Sequence, residues 1–176
     1  MRRSLACAGL LSAPLAVAAF AAAGEVAAPP SGFLDAVGRW HPALVHFPVA
    51  LLVVAAVAEL LCIFRRDGYF GDAARFMVTA AAWTAVPAVL AGFARAGAIT
   101  IPPAAQEAFA VHRIAGIVVA VLAVLAAGLA AGVRRSGQIW ELFLYRIVLF
   151  LAAAFALTAG YYGGEMVYGA GFFSGW

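Results

Sequence analysis

The sequence predicts an all-α integral membrane protein, a four-helix up-down bundle preceded by a cleavable signal peptide. Three observations carry that prediction. First, 66% of the 176 residues are hydrophobic and only 11% are charged, where a soluble domain is roughly half apolar and about a quarter charged. Second, the apolar residues gather in runs of about 20, the length that crosses a bilayer, and the mean hydropathy is +1.03. Third, every basic residue is an arginine, and the arginines stand at the ends of the apolar runs. That placement marks membrane topology and not a nucleic-acid-binding face.

Residues 1–23 read as the signal peptide. Met1-Arg2-Arg3 is a short basic start, 5–20 is apolar, and Ala21-Ala22-Ala23 supplies small residues for cleavage before Gly24. Too little apolar sequence precedes Cys7 for a lipoprotein signal. After cleavage only Cys62 remains, which excludes an intrachain disulfide, a thiolate cluster and covalent c-type haem attachment. Residues 24–40 form a periplasmic or interfacial segment, 41–171 the membrane domain, and 172–176 an aromatic periplasmic tail.

Within the domain, helices are expected over 42–64, 73–94, 105–133 and 140–162. Each is long enough for the ~30 Å hydrocarbon layer at about 1.5 Å per residue. The links are short, which makes successive helices antiparallel neighbours. Pro87 is expected to kink the second helix, Gly128 and Gly132 to mark close packing on the third, and Gly163 and Gly164 to turn the chain after the fourth.

Arg65, Arg66, Arg75, Arg134, Arg135 and Arg146 fall at one end of the bundle; Arg39, Arg95 and Arg113 fall at the other. The richer end is expected to be cytoplasmic. With the signal peptide this gives a multi-pass protein of a bacterial inner membrane, N-out and C-out. Glu59, near the inner end of the first helix, is expected to pair with Arg75 or Arg146.

The chemistry concentrates in three histidines. His41 and His46 open the first helix, and His112 opens the third from the same side. No nucleophile–base pair, phosphate loop or paired catalytic carboxylates accompany them. Ionisable groups inside membrane helices usually face the bundle interior, and imidazole is a good haem-iron ligand. The reading is a b-type haem near the periplasmic face, with His46 and His112 as axial ligands on diagonal helices. Gly116, one turn from His112, leaves room for a macrocycle, and Arg39, Arg95 and Arg113 suit its propionates. His41, before Pro42 at the rim, is a less favoured ligand. The alternatives are hydrogen-bonded structural histidines, or a copper or zinc ion held by the histidines with Glu165 or Met166. On this reading the chain is an electron-transfer subunit and not a stand-alone enzyme. It exchanges electrons with a periplasmic c-type cytochrome or a quinone, alone or within a larger membrane complex. The alternative is a non-redox structural or accessory membrane subunit.

The opening His41-Pro42-Ala43-Leu44-Val45-His46-Phe47-Pro48-Val49-Ala50-Leu51 and the ending Gly163-Gly164-Glu165-Met166-Val167-Tyr168-Gly169-Ala170-Gly171 resemble a family of bacterial four-helix membrane domains of unknown function. The resemblance spans 40–171 and includes a histidine at the start of the third helix, here His112. It implies proximity to electron transfer, because some members are joined to c-type cytochrome domains. Many members carry aspartate four residues into the motif that reads Gly92-Phe93-Ala94-Arg95 here; this chain has arginine.

Overall fold

A computed structural model describes residues 32–169 and 171–172. The expected signal peptide with Cys7, most of the interfacial segment before Gly32, and Phe173 to Trp176 of the tail lie outside the described residues. Among the described residues five α-helices follow one another: α1 Gly32–Arg39, α2 His41–Arg65, α3 Gly68–Gly97, α4 Gln106–Ser136 and α5 Ile139–Tyr168. Among the described residues there is no strand. Helices α2 to α5 have 25 to 31 residues, about 38–46 Å at the α-helical rise. All four are long and apolar enough to cross a membrane.

Local chemistry sets the boundaries. Pro42 opens α2 in its first turn, where a missing N–H costs nothing. The helix closes on Arg66 in the left-handed conformation (φ 55°), whose N–H donates to the Cys62 carbonyl. Asp67 then caps α3 by accepting from the Tyr69 N–H at 2.9 Å. Gly137 (φ 66°) closes α4 in the same left-handed way, its N–H on the Val133 carbonyl at 3.0 Å. A 3-10 turn at Pro103–Ala105 leads into α4.

The fourth long helix runs further than expected. Gly163 and Gly164 lie inside α5, which continues to Tyr168; the turn comes at Gly169 (φ 101°). There Glu165 accepts from the Tyr161 hydroxyl and the Gly171 N–H. Gly128 has open space around it, whereas Gly132 packs on the Glu141 carboxylate of α5. The expected glycine seam therefore makes one contact and not two.

Helices α2 and α3 form one hairpin, α4 and α5 a second, and the hairpins meet through α3 against α4 and α2 against α5. The shared core is built largely of alanine: Ala55, Ala81, Ala123, Ala126, Ala130, Ala152 and Ala156 are fully buried around Leu52, Val78, Tyr145 and Leu149. Small side chains let backbones approach, and in lipid such packing drives helix association. The outward faces carry Phe47, Phe64, Phe76, Trp83, Phe143 and Leu157, the apolar covering that a bilayer environment requires. Short α1 lies on the end of α3. A Cβ on Gly38 would stand 2.7 Å from the Arg95 backbone nitrogen, so the approach requires glycine.

The hairpins repeat one another at an offset of 71 residues. His112 stands 71 after His41, and Gly137 stands 71 after Arg66, both left-handed helix ends. Ile139 and Gly68 open the second helices with the same offset. Buried Ala55, Val78, Ala81, Ala85 and Ala88 answer to buried Ala126, Leu149, Ala152, Ala156 and Ala159. Both hairpins run in the same direction, so an approximate two-fold axis passes along the bundle, the arrangement of parallel repeats in membrane proteins.

Candidate functional site

The two-fold axis brings His41 and His112 together at one end of the bundle. Their rings meet edge to face, with centroids 6.0 Å apart and planes at 83°. Each imidazole is held by the second helix of its own hairpin. His41 Nδ1–H donates to the Ala88 carbonyl of α3 at 2.9 Å, and His112 Nδ1–H donates to the Ala159 carbonyl of α5 at 2.8 Å. A carbonyl only accepts, so these bonds place a ring proton on Nδ1 and leave Nε2 of each ring outside them. A ring nitrogen tied to a backbone carbonyl is also how ligating histidines are oriented.

One turn beyond each accepting alanine, a glycine seats the ring. A Cβ on Gly92 would stand 2.8 Å from His41 Cε1, and one on Gly163 would stand 3.2 Å from His112 Cε1 and Nδ1. Gly92 and Gly163 are themselves 71 residues apart. Buried Ala88, Ala91, Ala115 and Ala159 line this end of the core.

The remaining expected site residues go elsewhere. His46 is exposed on the outside of α2 and donates to the Pro42 carbonyl of its own helix. The partner of His112 is therefore His41, not His46. Five residues at about 100° each turn the two side chains of α2 roughly 140° apart, so only one of them can face the axis. Gly116 has open space around it and is not the seat of His112. Arg39 pairs with Asp35, and Arg95 approaches the same carboxylate at 4.0 Å. Arg113 lies over the Phe109 ring, 5.6 Å from its centroid. Among the described residues no group of three or more His, Cys, Asp or Glu side chains is placed to hold a metal ion. The ligand set of three histidines with Glu165 is not assembled.

At the opposite end, Glu59 is fully buried and accepts from Arg146 Nε at 2.8 Å. Arg75, the counterpart of Arg146 in the first hairpin, bonds Asp72 at 2.9 Å. Its guanidinium lies over Gly71, where a Cβ would meet it at 3.3 Å and Cys62 Sγ at 3.0 Å.

Fold and site define a membrane protein of two parallel hairpins, with an imidazole pair on the axis at one end and a buried ion pair at the other. The model of the family described as "Predicted membrane protein (DUF2231)" matches residues 39–173, so the chain belongs to that family. No curated protein and no solved structure matches it.

Proposed function

We propose that this protein is a membrane electron-transfer subunit in which His41 and His112 supply the two axial imidazoles of one b-type haem. The observation that carries the reading is the pairing itself, one carbonyl-anchored imidazole from each hairpin meeting at one end of the bundle. The two rings would hold the haem iron through their Nε2 atoms, and imidazole is a good haem-iron ligand. The ring centroids are 6.0 Å apart, and both Nδ1 atoms are already occupied by carbonyls. The chain's own residues would fix the ring planes and hold the Nδ1 protons on carbonyls; a bound haem would supply one-electron exchange. Arg113, exposed one residue beyond His112, is the guanidinium free of a carboxylate at this end among those expected to serve propionates.

In this reading the arginine-poor histidine end faces the periplasm of a bacterial inner membrane. Its redox partner is then a periplasmic c-type cytochrome or a quinone. A second reading is a single copper ion between the imidazoles, which suit that metal. It is favoured by the tight closure of Ala88, Ala91, Ala115 and Ala159, because an ion needs no parting of the hairpins.

A reduced-minus-oxidised spectrum of protein expressed with haem supplied tests the proposal. Parent and His46→Ala protein should show the bands of low-spin six-coordinate haem, and His41→Ala or His112→Ala should lose them. A well-folded parent without a Soret band rejects haem, and metal analysis of the same sample then decides the copper reading.

A further inference from the structure

The end of the bundle remote from the histidines holds three buried polar atoms with no hydrogen-bond partner in the protein: Glu59 Oε2, Arg75 Nε and the Tyr145 hydroxyl. Glu59 and Tyr145 are fully buried. Arg146, next to Tyr145 in the chain, bonds Glu59, and Arg75 lies over Gly71 beside Cys62, which is three residues beyond Glu59 on its helix. Leaving such atoms unpaired in a membrane core is costly. Three in one place call for a shared partner.

Their chemistry selects it. Glu59 Oε2 accepts, Arg75 Nε–H only donates, and the Tyr145 hydroxyl does either. A cation is disfavoured by the guanidinium and an anion by the carboxylate. A neutral group that both donates and accepts satisfies all three, and buried waters typically make about three such bonds. We propose that Glu59 Oε2, Arg75 Nε–H and the Tyr145 hydroxyl together bind one water molecule. The site joins Glu59 through that water to Arg75, whose side chain is 16% exposed and pairs with exposed Asp72.

The repeat gives independent support. The counterpart of Glu59 is buried Ala130, and that of Tyr145 is buried Ala74, while Arg75 and Arg146 answer to each other. Glu59 and Tyr145 thus each stand where the other hairpin has a buried alanine, and each brings one of the unpaired atoms.

Tyr145→Phe and a map that resolves ordered water test the site. The phenylalanine variant is nearly isosteric and should fold. If the hydroxyl were merely unpaired, its removal would raise the unfolding midpoint, because a buried orphan is costly. The water site requires the opposite, a lowered midpoint, and a non-additive effect when Glu59→Gln is combined with Tyr145→Phe. The map of the parent should show a peak within hydrogen-bond distance of all three atoms, absent or displaced in Tyr145→Phe. A midpoint unchanged or raised overturns the proposal. So does a direct hydrogen bond from Tyr145 to Glu59 with no peak between the three groups.

Discussion

Replacing Gly92 with alanine should loosen the histidine end, although alanine is the better helix former. The new Cβ would stand 2.8 Å from His41 Cε1 and 3.1 Å from Nδ1, closer than carbon atoms pack. His41 must swing away, and its 2.9 Å bond to the Ala88 carbonyl goes with it. Overpacking costs about 1–3 kcal/mol and the lost hydrogen bond about 0.5–1.5 kcal/mol. Helix propensity returns about 1 kcal/mol, leaving a net destabilisation of about 0.5–3.5 kcal/mol. Gly163→Ala meets His112 at 3.2 Å, where a shift of a few tenths of an ångström suffices, so it should lie within about 1 kcal/mol of the parent. Gly128 and Gly160 have open space around them, and alanine there should stabilise by up to about 1 kcal/mol. Reversible denaturation of all four variants in mixed detergent gives the comparison. Gly92→Ala as stable as Gly160→Ala would show that the imidazole is not seated on Gly92.

Other outcomes follow from the same geometry. Arg146→Leu should cost about 3–5 kcal/mol in the same denaturation assay, because it leaves a charged carboxylate without its partner. Glu59→Gln should cost less, since Arg146 is 29% exposed whereas Glu59 is fully buried; the reverse order would argue against a buried ion pair. Arg66→Gly should raise stability by about 1 kcal/mol by relieving a left-handed non-glycine residue, and Gly137→Ala should lower it by a similar amount. Reporters fused after Gly137 and after Trp176 should report opposite sides of the membrane, because one long helix, α5, lies between them; a common side would refute the spanning assignment of α5.

The four long helices were legible because hydropathy and arginine punctuation are one-dimensional signals. The Glu59 partner was legible to within a choice of two, since only two arginines stand at the right depth. The fourth helix was cut short because paired glycines read as breakers; at Gly163 the missing side chain serves the His112 ring instead. The contact of His112 with His41, where depth had grouped it with His46, has a reason of phase. His41, Pro48, Leu52, Ala55 and Glu59 recur at the spacing of one buried helix seam, and His41 joins Pro48, Leu52, Ala55 and Glu59 on the axial side. His46 falls off that seam. Depth alone, which groups His46 with His112, does not separate an inward from an outward imidazole. The offset of 71 residues was also present in the sequence, but similarity between alanine-rich helices is weak until the matched hydrogen bonds single out its residues.

The two polar ends of the bundle stand in different relations to its symmetry. A centre made of one histidine from each hairpin asks for nothing that two identical hairpins lack. The cluster of Glu59 and Tyr145 needs unlike residues at equivalent positions, with Ala130 and Ala74 small opposite them. A strictly two-fold bundle would hold either two carboxylates there or none. The imidazole pair obeys the axis, and the buried carboxylate breaks it.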